Sequence, residues 1–283
     1  MKITLLSPAW PYRGGIAAFS ERLAREFIAE GHTTDIVTFT LQYPSFLFPG
    51  KTQYSPDPAP KGLRIRRMLN SVNPLNWIKT GRRLRRESPD LLVIAFWMPY
   101  MAPCLGAVSR IVRSNGHTRV AAVVHNLIPH EKHPGDSFLA GFFCRSADHF
   151  TALSKAVEGD IKALSHGKPC SFCPHPTYDN YGAPVPREEA CLHLGLDPGT
   201  VNLLFFGLIR DYKGLDLLLE AYAGLKERAR LVVAGEFYSD GEKYHSLARS
   251  LGIDSEVIWR TEFVPDSEVR YYFSAADLVV LPY

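Results

Sequence analysis

The sequence predicts an α/β protein made of two doubly wound halves, each a parallel β-sheet covered by helices on both faces. Three observations predict it. Short, continuous apolar runs at residues 90–97 (DLLVIAFW), 119–125 (RVAAVVH), 201–206 (VNLLFF) and 230–234 (RLVVA) have the length and composition of strands buried on both faces. They alternate with stretches whose apolar residues recur at helical spacing, the order that builds a parallel sheet. A stretch rich in Pro, Gly and Tyr at residues 174–186 interrupts that order, and 283 residues suffice for two ordinary domains. The expected domains are residues 1–180 and 187–283.

Residues 2–6 form the first expected strand. A helix follows at 16–30, with Ile16, Phe19, Leu23 and Phe27 on one face and Gly31 closing it. Residues 34–39 form the next strand. Residues 43–60 show no apolar period and are rich in Pro, Ser and aromatics, which predicts a long exposed loop. Residues 61–86 carry nine Lys and Arg and no Asp or Glu, with Leu75, Trp77, Ile78 and Leu84 interleaved. Such a run reads first as a solvated helix face. An anionic membrane surface or an anionic acceptor is the alternative, and nucleic acid is disfavoured because no recognised binding module accompanies the patch.

A helix is expected at 102–113 between the strands at 90–97 and 119–125, then a helix at 138–144 and a strand at 148–153. Ser154 has the position of a helix N-cap, with Glu158 soon after it. A strand fragment at 171–173 ends the first half. In the second, a helix at 188–194 precedes the strand at 201–206. Leu215, Leu217, Leu218, Leu219 and Tyr222 then give a broad apolar helix face. The strand at 230–234, a helix at 243–251, a strand at 256–259, a helix at 266–276 capped by Asp266 and a strand at 278–281 complete a sheet of about four strands.

The chemistry concentrates where strands end. Between the strand at 201–206 and the helix after it lie Arg210, Lys213 and Gly214. A helix start offers unpaired N–H groups and the positive end of the macrodipole, so an anion there gains hydrogen bonds and field together. Arg210 adds a bidentate fork and Lys213 a point charge. The alternative is a solvated turn. Gly14 and Gly15, after the first strand, permit positive φ and close approach of a phosphate or sugar to the backbone, or make a tight turn without a ligand. They do not form the G-x-G-x-x-G dinucleotide pattern, which argues against a nicotinamide or flavin enzyme. His125 stands at the carboxyl end of a strand, where ligands of such sheets gather.

Other candidates carry less. His130, Glu131 and His133 lack the i, i+4 spacing of a helical zinc pair and lie between Pro129 and Pro134, so no metal is expected. Glu131 is a candidate for orienting an acceptor hydroxyl. The five cysteines are odd in number and irregularly spaced, which suits a reducing compartment. Cys170 and Cys173 fall in an expected strand, where positions i and i+3 point to opposite faces, so the lone CxxC predicts no metal or redox centre. No apolar run is long enough for a membrane span, and the N-terminus lacks the pattern of a signal peptide. The expectation is a cytoplasmic protein, with membrane association through residues 61–86 as the alternative.

The segment FGLIRDYKGLDLLLEA, together with PYRGGIAAF and HNLIPHE, resembles the retaining glycosyltransferases of family 4, and the resemblance extends over nearly the whole chain. It implies a GT-B fold, two Rossmann-like domains facing a cleft. It implies that Arg210 and Lys213 contact the diphosphate of a nucleotide sugar, that the loop of Gly14 and Gly15 borders donor and acceptor, and that His125 contacts the donor sugar near the reacting centre. The segment of Thr261, Glu262, Phe263 and Val264 would wrap the nucleotide base, mostly through backbone groups. The reaction implied moves a sugar, with retention and without a metal or other cofactor, from a UDP- or GDP-type donor to a hydroxyl of a glycan or lipid-linked acceptor. In that family the strand resembling residues 278–281 is followed by a helix bearing two glutamates that bind sugar and ribose. Neither is present here, so the expectation is an incomplete second domain and a fragment that turns over poorly or not at all. A non-catalytic homologue serving as a binding or scaffold subunit, and a nucleotide-sugar epimerase, are the alternatives.

Overall fold

In the computed structural model, which describes residues 1–44, 52–129, 133–177, 181–225, 229–238 and 240–282, the chain divides into two compact units. One holds the described residues up to 176 and the other those from 177 onward.

The first unit runs β1 (Lys2–Leu6), α1 (Gly15–Ala29), β2 (Thr33–Leu41), β3 (Ile65–Asn70), α2 (Pro74–Glu87), β4 (Leu91–Phe96), α3 (Ala102–Arg113), β5 (Arg119–Val124), α4 (Asp136–Cys144), β6 (His149–Ala152), α5 (Lys155–Leu164) and β7 (Cys170–Phe172). Its sheet has seven strands in the order β3-β2-β1-β4-β5-β6-β7, every pair parallel. Side chains alternate across it. Ile3, Leu5, Ile36 and Val93 pack with Ala24 of α1 on one face. Leu6, Val37, Leu92 and Ile94 pack with Leu84 of α2, Leu105 of α3 and Phe143 of α4 on the other. Both faces being dry, the strands read as unbroken apolar runs. Strand order reverses between β1 and β4, and at such a switch point the carboxyl ends splay into a crevice. Ser154 caps α5, accepting from the Val157 amide at 3.2 Å.

One expectation is corrected in this unit. The basic run at 61–86 is not a single helix face: residues 65–70 form edge strand β3, with only Leu69 buried, so the cations around it hide its strand pattern. Arg66 turns inward, held by both carboxylate oxygens of Glu87 at 2.8 Å and by Asp35 at 2.5 Å. Arg67 donates to the carbonyls of Phe39 and Thr40 at 3.2 Å. The described part of the loop expected at 43–60 is mostly exposed, as expected, and is stitched to the turn after β1. Tyr54 forms a bridge with Tyr12, the Arg13 amide donates to the Gln53 carbonyl at 3.0 Å, and the Ser55 amide donates to the Pro11 carbonyl at 2.8 Å.

The second unit runs α6 (Arg187–Leu194), β8 (Val201–Phe206), α7 (Leu215–Ala223), β9 (Ala229–Ala234), α8 (Glu242–Ser250), β10 (Val257–Arg260), α9 (Asp266–Ala275) and β11 (Leu278–Val279). Its smaller parallel sheet has the order β10-β9-β8-β11. Helices α7 and α8 cover one face and α6 and α9 the other. Leu215, Leu218, Leu219 and Tyr222 are buried as the apolar period requires, but Leu217 is 57% exposed and leaves that face. Asp266 is the first residue of α9 rather than its cap: Pro265 holds the cap position and no side chain closes it. An acid in the first turn still favours the helix through its dipole.

Candidate active site

At the carboxyl edge of the second unit's sheet, strands β8 and β9 continue as a pair beyond their regular ends. The Gly207 amide donates to the Ala234 carbonyl at 2.9 Å, the Ile209 amide to Glu236 at 2.8 Å and the Tyr238 amide back to Ile209 at 2.9 Å. Gly207 (φ +106°) and Gly235 (φ +133°) make this possible. A Cβ on Gly235 would lie 2.2 Å from the Gly207 carbonyl oxygen, a contact open only to glycine.

This extension aims the two cations. Arg210 follows it directly, its guanidinium carbon 3.7 Å from the centre of the Tyr238 ring. A short 3₁₀ turn at Asp211–Lys213 and Gly214 (φ +67°) then lead into α7, whose start no side chain caps. The Leu218 amide is already bonded to the Gly214 carbonyl, so the N–H groups of the first turn precede the helical ladder. Lys213 folds back toward the strand end, its Nζ 3.3 Å from where a Cβ on Gly207 would sit. Burial lowers its pKa, and Arg210 lowers it further. Asp211 is drawn toward α8, where Lys243 pairs with it and the Tyr244 hydroxyl donates to it at 3.2 Å. That pairing holds the Asp211 carboxyl below its usual range. Two cations, one desolvated, beside an uncapped helix start form a corner suited to a polyanion.

The segment of Thr261, Glu262, Phe263 and Val264 lies on the same sheet edge, after β10 and before α9. The Gly235 amide donates to the Arg260 carbonyl at 2.9 Å, tying the root of this segment to the end of β9. Strand order therefore places the base candidates two strands from the cationic turn.

In the first unit, Gly14 (φ +109°) and Gly15 are exposed, and Gly14 precedes α1 with open space around the position of its absent Cβ. His125 follows β5 on the same carboxyl edge, its amide donating to the Phe96 carbonyl at 2.8 Å. Phe19 of α1 meets the His125 ring edge-on at 5.0 Å between centroids, and His175 lies 5.4 Å from Phe19 and 6.2 Å from His125. Nε2 of His125 is buried without a partner. Burial, with a smaller contribution from His175, pushes the imidazole down to about 4, so it is neutral at pH 7. Glu131, the candidate acceptor contact, and His130 lie outside the described residues.

The sign of the His125 effect is testable. Its folded pKa is depressed, so the unfolded chain takes up a proton first as pH falls. Stability is full above about 6.5 and is lost as pH drops toward 4, by up to about 3 kcal/mol. Urea midpoints measured across that range should show the slope in the wild type, and a shallower one in His125→Asn.

Sequence reasoning missed Tyr238, Phe19 and His175. Nothing in the sequence signals that Tyr238 would meet Arg210 or that His175 would return beside α1, since the first contact joins two separate strand ends and the second a strand end and a distant helix. Cys170 lies in β7 and Cys173 just after it, and both are free thiols. Among the described residues no group of three His, Cys, Asp or Glu could hold a metal ion, and no helix is long and apolar enough to cross a membrane.

Comparison with known proteins brings these edges into a family. A D-inositol 3-phosphate glycosyltransferase of Pseudarthrobacter chlorophenolicus is 38% identical over 107 residues, 35% of this chain and 25% of that protein. The chain thus matches about a quarter of the length of this curated relative. Sucrose-phosphate synthase from Thermosynechococcus elongatus superposes with a TM-score of 0.75 at 16% identity, over 100% of this chain and 75% of the other. Anabaena HepE, solved in complex with UDP-glucose, superposes with a TM-score of 0.69 at 15% identity, over 99% of this chain and 73% of the other. At such identities the likeness concerns the fold, which is of the GT-B type. The model of Glycosyltransferase Family 4 matches residues 13–174, and that of Glycosyl transferases group 1 matches residues 192–283. With the larger of these matches spanning more than half of its residues, the chain belongs to glycosyltransferase family 4.

Proposed function

We propose that the protein transfers a sugar, with retention, from a nucleotide diphosphate donor of the UDP or GDP type to a hydroxyl of a glycan or lipid-linked acceptor. The observation that carries this reading is the placement of Arg210 and Lys213 at the uncapped start of α7, with Arg210 stacked on Tyr238. Charge accumulates on the leaving diphosphate as the bond to the sugar breaks. Donors already oriented toward it need no reorganisation at that moment, which is often the largest single term in catalysis. Backbone groups of residues 261–264 would hold the base. In the first unit, Gly14 and Gly15 would let donor phosphate or acceptor approach the backbone. Neutral His125, with its unpartnered Nε2, would hydrogen-bond the donor sugar without adding charge.

The test is calorimetric titration with UDP, GDP and ADP, followed by assay of the tightest-binding nucleotide's sugar conjugates with and without glycan acceptors. Diphosphates binding more tightly than the matching monophosphates is the expected result. Equal affinity for both would remove the role of the cationic corner. Tight binding with no transfer would fit a non-catalytic homologue, and donor conversion without an acceptor would fit an epimerase.

A further inference from the structure

We infer that the outer face of α2 docks on an anionic lipid bilayer. The sequence shows a run of cations; the fold decides which of them face solvent. Arg66 and Arg67 are spent inside the unit, on Glu87 and Asp35 and on two carbonyls. Within α2, Thr80, Gly81 and Leu84 are buried, with Trp77 partly so. At 100° per residue the opposite face carries Leu75, Ile78, Lys79, Arg82 and Arg86, all exposed, with Arg83 and Arg85 flanking it. Gly81 meets Ile111 so closely that a Cβ there would lie 2.9 Å from it, so α2 is pressed on α3 and cannot roll. Which face points outward is therefore fixed.

That face has the composition of an interfacial helix rather than of a solvated one. Lys79, Arg82, Arg85 and Arg86 have no ion-pair partner among the described residues, while the acid at the helix end, Glu87, is committed to Arg66 and Arg83. Leu75 is 78% exposed, Ile78 39% and Val72, just before the helix, 46%. A solvated face has no use for three large apolar side chains at one end of a cationic stripe. Lipid headgroups would meet the cations while the apolar end enters the boundary with the acyl chains. An acidic protein or a nucleic acid would satisfy the charges and leave Leu75 and Ile78 without a role. Because α2 starts directly after β3, its apolar end lies at the carboxyl edge of the sheet, the edge that holds Gly14 and His125. Docking in this orientation would hold that edge against the bilayer surface. The inference does not depend on the donor reading.

The experiment is co-sedimentation of the whole chain with vesicles of mixed phosphatidylglycerol and phosphatidylcholine, and with phosphatidylcholine vesicles alone. The wild type should partition to the anionic vesicles and release at high salt. The paired change Arg82→Gln with Arg86→Gln should lower the partition on the order of 30-fold, about fivefold for each cation removed. Leu75→Ser with Ile78→Ser should lower it about tenfold. Urea midpoints establish that each variant is folded, and nucleotide titration of the same samples separates this result from the donor reading. Equal partition to both vesicle types, or variants that sediment like the wild type, would overturn the inference. So would displacement of the protein from vesicles by an oligonucleotide whose binding ignores the Leu75 and Ile78 changes.

Discussion

Arg210→Ala is expected to weaken binding of a nucleoside diphosphate by about 1.5 to 3 kcal/mol, the scale of a charge-assisted hydrogen bond, or roughly ten- to a hundredfold in Kd. The guanidinium is held at 3.7 Å on the face of Tyr238, so little conformational freedom remains to be lost when an anion arrives. Tyr238→Ala should reproduce a smaller part of the loss, about 0.5 to 1 kcal/mol, by releasing that stack. Lys213→Met should differ from Arg210→Ala in its pH dependence. Burial depresses the Lys213 pKa, and a bound phosphate would raise it again. Wild-type affinity is therefore full below the depressed pKa and declines as pH rises above it, whereas the Lys213→Met protein lacks that slope. Calorimetry across neutral to alkaline pH reads both effects. Unchanged affinity in Arg210→Ala would sink the proposed diphosphate site.

Gly235→Ala should be the most damaging single methyl addition in the second unit. The added Cβ would sit 2.2 Å from the Gly207 carbonyl oxygen and 2.7 Å from its carbon, both backbone atoms that cannot swing aside. At φ +133° an L residue is strained in addition, a cost of about 1 to 3 kcal/mol by itself. The sum should exceed roughly 4 kcal/mol, in the range reserved for the few substitutions that break a specific feature. The clash also separates the paired extensions of β8 and β9, so nucleotide affinity should fall with stability. Gly252→Ala makes the comparison, since φ there is also positive (+66°) but nothing lies within 4 Å of the new Cβ. It should cost only about 1 to 2 kcal/mol. Urea denaturation of the two variants gives the difference, and equal midpoints would show that the strand ends can part freely.

The glycine pair illustrates how far each site was legible. Gly207 directly follows β8, and Arg210 and Lys213 come within the next few residues, so the corner's chemistry is local. The reason Gly235 must also be glycine is not local, because its constraint is a carbonyl on the neighbouring strand. The same division holds at His125. Its place at a strand end follows from the apolar run before it, but its depressed pKa comes from burial and from His175, fifty residues onward, beside Phe19 of α1.

By itself the sequence determined the alternation of strand and helix, the parallel sheets and the cationic turn after β8, because apolar period, turn glycines and helix starts are properties of neighbouring residues. It misread edge strand β3, whose few apolar residues lie among cations, and it placed Leu217 in a core that the helix phase turns away from. Only the tertiary structure decided which cations of residues 61–86 are neutralised by Glu87 and Asp35 and which face outward. A charge's effect depends on what lies within a few ångströms of it, and the chain settles that only by folding distant residues together.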